Sequence, residues 1–442
     1  MNDIVNIARQ GRSVVRLAIT AAMMVFAIAA HAATPAPRSN GLALTPPIGW
    51  SSWNNFGEDI NEQLVVDTIE AMIANGMRDA GYVFVNLDDG WQRYKGTRRD
   101  HPLEVDPKKF PHGIAWLSNY AHERGMKLGI YSGPGQTTCA GYTGSEGHEA
   151  DDAKMFANWG IDHLKYDSCC SHRDAPKTEL QRIFRTLSDA LLAQKRGIVL
   201  HACHCGWGDI WEWASDLGVN HWRIGQDISD DFNYPGNREK YYFDVLDQLD
   251  RGVGLEKYAG PGHWNDYDML IVGLDGKSKQ LVGTGASNTE YRTHFSLWAM
   301  VSSPMLVGAD IRKLDPYSLE TLTNKEIIAL NQDPAGNVAQ KVRDDGDLEV
   351  FTRELADGSH AVLLLNRGAT TAEMSFSPRR DMQVPMDRFS VRDLWKHRNL
   401  GTYDMPVTVE VQSHEARVFR IRQLTTSVNG RSGELSTEPA AR

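Results

Sequence analysis

Apolar positions change their period along this chain, and the change divides it in two. Leu64, Val65, Ile69, Met72 and Ile73 recur at helical spacing. The apolar run Val83 to Leu87 then reads as a strand and ends in Asp88-Asp89-Gly90. Met126 to Tyr131 predicts the next strand, closed by Ser132-Gly133-Pro134-Gly135. His163 to Asp167 predicts another, and Ile183, Phe184, Leu187 and Leu191 return to helical spacing. Ile198 to Cys203, Trp222 to Ile228, His263 to Leu270 and Met305 to Gly308 read as further strands, and Trp50 belongs to a first one beside Ile48-Gly49. After Asn331 the helical period stops. Short alternating runs replace it at Leu348 to Arg353, Ala361 to Leu365, Val407 to Val411 and Arg417 to Ile421, separated by Gly, Asp and Pro.

Eight strands alternating with helices between Gly41 and Asn331 predict an α/β fold, a (β/α)8 barrel. A doubly wound sheet gives the same alternation. The polar residues favour the barrel. Asp88, Asp89, Tyr131, Lys165, Asp167, Asp227 and Asp268 fall at or just past predicted strand ends, which in a barrel converge on one face. The alternating runs that follow predict a C-terminal antiparallel β-sandwich. The expected organisation is a signal peptide over 1–32, the barrel over 41–331, the sandwich over 332–424 and a disordered Ser-, Thr- and Gly-containing tail over 425–442. The signal-peptide expectation rests on Arg9, Arg12 and Arg16, the apolar run Leu17 to Ala30, and the small-residue pattern Ala30-His31-Ala32. It predicts export to the periplasm or the medium, with no membrane attachment after cleavage.

Composition narrows the partners. The 442 residues carry a formal net charge of -10 and no basic cluster, which argues against a nucleic-acid partner. Twelve tryptophans suit either a large core or the apolar face of a sugar. Cys139, Cys169, Cys170, Cys203 and Cys205 are odd in number, so at least one thiol is expected free in a monomer. Cys203-His204-Cys205 is too compressed for the usual zinc-ligand spacing.

Three patterns carry chemistry. Asp88-Asp89 at a strand end can clamp vicinal sugar hydroxyls, although Asp-Asp-Gly equally suits a turn. Lys165 lies two residues before Asp167, on the same face of a strand, where it would hold that carboxylate ionised as a nucleophile requires; a barrel-interior ion pair explains it too. Asp227 is a candidate general acid and Arg223 a candidate hydroxyl clamp, with an ordinary ion pair as the alternative.

Taken together these patterns resemble the melibiase family, glycoside hydrolase family 27. The resemblance runs in one order through Thr45 to Trp53, Asn86 to Trp91, Lys127 to Tyr131, Gly147-His148-Glu149, Lys165 to Asp167, Trp222 to Asp227 and Gly262 to Met269. It implies a retaining glycoside hydrolase, an α-galactosidase acting on terminal α-D-galactosyl residues by double displacement, with a carbohydrate as its partner and no cofactor or metal. Asp167 matches the family's nucleophile and Asp227 its acid/base. Trp53, Asp88, Asp89, Tyr131, Lys165, Arg223 and Asp268 match sugar-contacting positions, and Cys139 with Cys169 matches a disulfide beside the pocket. The sequence departs from the family where Glu58 and Gly90 replace a cysteine pair, where Val219 leaves Cys203 without one partner, and where His204-Cys205 replaces a Glu-Trp pair near the sugar's 2-position. His204 is therefore a candidate substrate-binding residue. The departures leave open isomalto-dextranase, α-N-acetylgalactosaminidase and β-L-arabinopyranosidase specificities. Two distant alternatives are a metal-dependent barrel hydrolase using His201, His204 and nearby acids, and a non-catalytic sugar-binding protein.

Overall fold

The computed structural model describes residues 39–234 and 242–424. The signal peptide expected over 1–32 and the tail expected over 425–442 lie outside them. Among the described residues no helix is long and apolar enough to cross a membrane.

Eight parallel strands form one sheet: β1 (Ile48–Ser51), β2 (Phe84–Asn86), β3 (Lys127–Ser132), β4 (His163–Asp167), β5 (Val199–Cys203), β6 (His221–Arg223), β7 (Trp264–Asp266) and β8 (Met305–Val307). Their order is β8-β1-β2-β3-β4-β5-β6-β7. The remaining edges meet just past β7, where Leu270 bridges Val307. Leu270 N–H donates to the carbonyl of Leu306, and Gly308 N–H to that of Leu270, at 2.8 and 2.9 Å. That closure makes the sheet a barrel. Helices cover its outside; Glu62–Ala74 and Lys177–Leu192 bury the apolar faces that their spacing predicts. In β4 the alternation sends Leu164 and Tyr166 into the hydrophobic layer under the helices, which leaves His163, Lys165 and Asp167 on the barrel's inner face. Gly49 in β1 is required by space: a Cβ there would stand 2.1 Å from the carbonyl oxygen of Phe84.

Two predicted strands are shorter than expected. The run Trp222 to Ile228 breaks after Arg223, and Asp227–Ile228 pairs instead with Tyr242–Phe243. The Arg223 guanidinium donates to the carbonyls of Gly225 and Gln226, which fixes a turn where a strand was expected. The run His263 to Leu270 stops at Asp266, because Asp268 has a φ of 76°. That left-handed conformation is costly for a residue with a Cβ and ends the strand.

The C-terminal part is antiparallel: β9 (Gln340–Asp345), β10 (Leu348–Glu354), β11 (His360–Asn366), β12 (Ala372–Phe376), β13 (Phe389–Asp393), β14 (Arg398–Tyr403), β15 (Val407–Val411) and β16 (Ala416–Gln423). Six strands order as β9-β10-β11-β16-β13-β14, and β12 pairs with β15. Strand β11 shows how the two halves join. Val362 and Leu364 enter the apolar core shared with Met374, Phe376 and Val411. Ala361, Leu363 and Leu365 belong to the barrel's core. The helix Asn288–Met300 lies at this junction and is buried along most of its length. Arg353 donates to Ser302 Oγ at 2.9 Å, and Trp395 Nε1 to Ser296 Oγ at 2.9 Å.

Candidate active site

The C-terminal ends of β1 to β4, β6 and β7, with the segments that follow them, line a pocket of about 110 Å3. Trp53, Asp88, Asp89, Tyr131, Lys165, Asp167, Arg223, Asp227 and Asp268 all line it, so the structure brings together every sequence-predicted site residue except His204. Asn54, Cys170, Met269 and Leu281 line it as well. Met269 was signalled only as the end of the Gly262 to Met269 motif, and Leu281 lies in a loop with no pattern to reveal it.

Each acid is held by its own backbone network. Ser52 Oγ accepts from Asp88 N–H at 2.9 Å, and Asp88 Oδ1 accepts from Asp89 N–H at 2.9 Å. Asp89 accepts from Gly90 N–H and Ala140 N–H at 3.0 and 2.8 Å. Both acids are buried, and these backbone bonds form the turn that the sequence suits. Lys165 Nζ pairs with Asp88 Oδ2 at 2.9 Å. Burial alone would lower the Lys165 ammonium, but Asp88 and Asp167 hold it well above its ordinary value.

Asp167 ends β4. Its Oδ1 accepts from Cys169 N–H at 2.9 Å and its Oδ2 from the Tyr131 hydroxyl at 3.2 Å. These bonds aim the carboxylate into the pocket. Lys165 is expected to hold this carboxylate ionised, and its charge does pull Asp167 down. Burial outweighs that pull and raises Asp167 to about 7, and the short contact of Lys165 is to Asp88. Burial likewise raises Asp89 and Asp268 to about 7. Arg223 ends β6, two strands along from β4. Its guanidinium reaches Asp227 Oδ1 at 3.1 Å and Asp268 Oδ2 at 2.9 Å. The Asp227 side chain is 52 % exposed, whereas those of Arg223 and Asp268 are buried. Ile228 N–H donates to Asp268 Oδ2, Trp298 Nε1 to the Asp268 carbonyl, and Asp268 N–H to Asp266 Oδ1, at 2.7, 2.7 and 2.8 Å. Four fixed contacts compensate the strained backbone of Asp268.

Two further expectations are corrected. His204 does not enter the pocket. It is fully buried, with Nδ1 at 2.7 Å from Ser168 Oγ and its ring edge-on to Trp207. Left-handed backbone at Cys205 and Gly206, with φ of 49° and 74°, turns the chain immediately after it. The same orientation separates His204 from His201, which faces Asp266 at 3.1 Å, so these two histidines do not form a shared metal centre. Cys139 pairs with Cys170 and not with Cys169. Cys169 and Cys170 occupy successive positions of one turn, and Cys169 faces Cys203 and Cys205 instead. At Gly90 and Glu58, where the family's cysteine pair is replaced, the Lys109 ammonium donates to both backbone carbonyls, at 2.7 and 2.9 Å. Glu58 also pairs with Lys95 at 2.7 Å.

The chemistry of this pocket is that of two carboxylates, one at the end of β4 and one just past the end of β6, with cations that fix their neighbours. Comparison with known proteins agrees. Residues 45–333 match the family described as alpha galactosidase A, and 345–421 the family described as alpha galactosidase C-terminal beta sandwich domain. The chain is 38% identical over 410 residues to alpha-galactosidase A of Cellvibrio japonicus, covering 90% of this chain and 97% of that one. It is 40% identical over 385 residues to the alpha-galactosidase of Coffea arabica, covering 86% and 94%. The crystal structure of alpha-galactosidase I from Mortierella vinacea superposes with a TM-score of 0.81 at 34% identity, covering 88% of this chain and 99% of that one. The chain belongs to the melibiase family, glycoside hydrolase family 27, and is a glycoside hydrolase.

Proposed function

We propose that this enzyme hydrolyses terminal α-D-galactosyl residues with retention of configuration. The observation that carries the reading is the joint placement of Asp167 and Asp227 in one pocket, beside the buried acids Asp88, Asp89 and Asp268. Asp167, steadied by Tyr131 and by the Cys169 N–H, attacks the anomeric carbon. Asp227, the most exposed of these acids and tethered by Arg223, protonates the departing oxygen. The same Asp227 then takes a proton from water, which releases the sugar from Asp167. Two displacements restore the original configuration. Asp88 and Asp89 accept hydrogen bonds from sugar hydroxyls, and Trp53 covers the apolar face of the ring. Lys165 donates to the sugar while neutralising Asp88.

The galactose reading is supported by relatives whose names state that activity along nearly their whole length. Retention of both Asp88 and Asp89 favours a sugar that presents 4- and 6-hydroxyls. A panel of nitrophenyl glycosides tests it. The α-galactoside is expected to give the highest kcat/KM. A higher value for the α-N-acetylgalactosaminide or the β-L-arabinopyranoside would replace the substrate and leave the mechanism standing.

A further inference from the structure

Three cysteines that hydrolysis does not use meet at the wall of the pocket. Cys169 lies on the turn after β4, and Cys203 and Cys205 flank the end of β5. The Cys169 sulfur is 2.6 Å from that of Cys205 and 3.6 Å from that of Cys203, and all three lie within 4.8 Å of one another. None is in a disulfide. Cys203 and Cys205 are buried, while Cys169 is partly exposed and lines the pocket. The spacing Cys203-His204-Cys205 has no metal signature by itself. The third sulfur comes from the neighbouring strand, because β4 and β5 pair in parallel with Asp167 opposite Cys203.

We propose that Cys169, Cys203 and Cys205 form a three-thiolate site for a soft, thiophilic cation, and that filling it shuts the catalytic pocket. Thiolates select soft d10 ions over the hard cations that carboxylates prefer. Two of the sulfurs are fixed by β5 and its turn. The third is on a partly exposed turn that can move outward to admit an ion. Each thiol that ligates passes its proton to solvent. The link to catalysis is direct. Cys169 N–H donates to Asp167 Oδ1 at 2.9 Å, so the ligand and the nucleophile share one turn. Three thiolates more than offset the two charges of the ion, so the site acts through position: drawing Cys169 onto the ion shifts the N–H that holds Asp167 and narrows the pocket.

Cadmium is the probe, titrated anaerobically into the full-length protein. The expected result is one Cd2+ per chain, a sulfur-to-metal charge-transfer band, and loss of nitrophenyl α-galactoside hydrolysis in step with the band, reversed by EDTA. Cys203→Ser and Cys205→Ser are expected to hydrolyse the substrate without metal. They should weaken Cd2+ binding at least as much as losing an outer-sphere partner does at its upper end, about 100-fold. Thermal unfolding of both variants shows that they fold. The band needs no substrate, so the site and the galactoside reading fail separately. Absence of the band in the unmodified protein overturns the proposal. Equal inhibition of both variants also overturns it, since the ion then acts on carboxylates. Fewer than three reactive thiols in the unfolded, unreduced chain does so too, since Cys169 and Cys205 are then joined to each other.

Discussion

Replacing Arg223 with lysine keeps a positive charge and removes the fork. The guanidinium makes four contacts from one buried position: Asp227 at 3.1 Å, Asp268 at 2.9 Å, and the carbonyls of Gly225 and Gln226. A lysine ammonium is a point donor on a flexible stem and cannot span both carboxylates in that plane. The contact to Asp227 is half-exposed, so its loss is discounted to about 1 kcal/mol. The buried contact to Asp268 is a charge-assisted hydrogen bond and is weakened by about 2 kcal/mol. Together the expected loss in kcat/KM is about 3 kcal/mol, or on the order of 100-fold. The loss should depend on the leaving group, because Arg223 acts on the proton donor. A natural α-galactoside, whose sugar leaving group needs that proton, should lose more than a dinitrophenyl α-galactoside, which does not. Steady-state kinetics on the two substrates reads this, with thermal unfolding to show that the variant is folded. An equal loss on both substrates would refute the assignment of Arg223 to Asp227, and no loss would refute the geometry altogether.

Other consequences are as specific. Burial raises Asp167 to about 7, and the nucleophile works ionised, so activity is present above that value and falls as pH drops through it. The acidic limb of the kcat/KM profile should have its midpoint near 7; a midpoint at about 4, the ordinary carboxylate value, would contradict it. Lys109→Met should destabilise the fold by ~2–3 kcal/mol, since the ammonium is half-buried and joins the backbones at Glu58 and Gly90. Urea unfolding with an unchanged midpoint would show that the contact does not matter. His204→Ala should lower stability and leave unchanged the kcat/KM ratio between a galactoside and its 2-deoxy analogue, because the imidazole is buried against Ser168 and Trp207. A change in that ratio would return His204 to the pocket.

What could be read from the sequence followed from local rules. Lys165 and Asp167 are two apart on a strand and share a face, and Arg223 and Asp227 follow one strand end. Placing them needed only the strand period and the barrel's converging ends. Contacts across the barrel were not readable in this way. The partner of Lys165 is Asp88, 77 positions away, and burial outweighs the pull of Lys165 on Asp167. Single backbone angles were also beyond reach. The left-handed turn at Cys205 removed His204 from a pocket that its position after β5 had promised. Adjacent Cys169 and Cys170 are interchangeable as letters, but they face different neighbours on one turn, which decided the disulfide. In the C-terminal half, Gln340–Asp345 and Arg398–Tyr403 escaped notice because both are largely exposed edge strands without an apolar alternation, and Ala372–Phe376 and Phe389–Asp393 because two large apolar residues apiece are too few to show a period.

The central claim is that Asp167 carries the sugar through a covalent intermediate. Proton NMR of the first-formed product of nitrophenyl α-galactoside hydrolysis, recorded before mutarotation, tests it most directly. Double displacement at Asp167 predicts that α-galactose appears first and that Asp167→Asn abolishes its formation. If β-galactose appears first, water attacks directly and Asp167 is not the nucleophile.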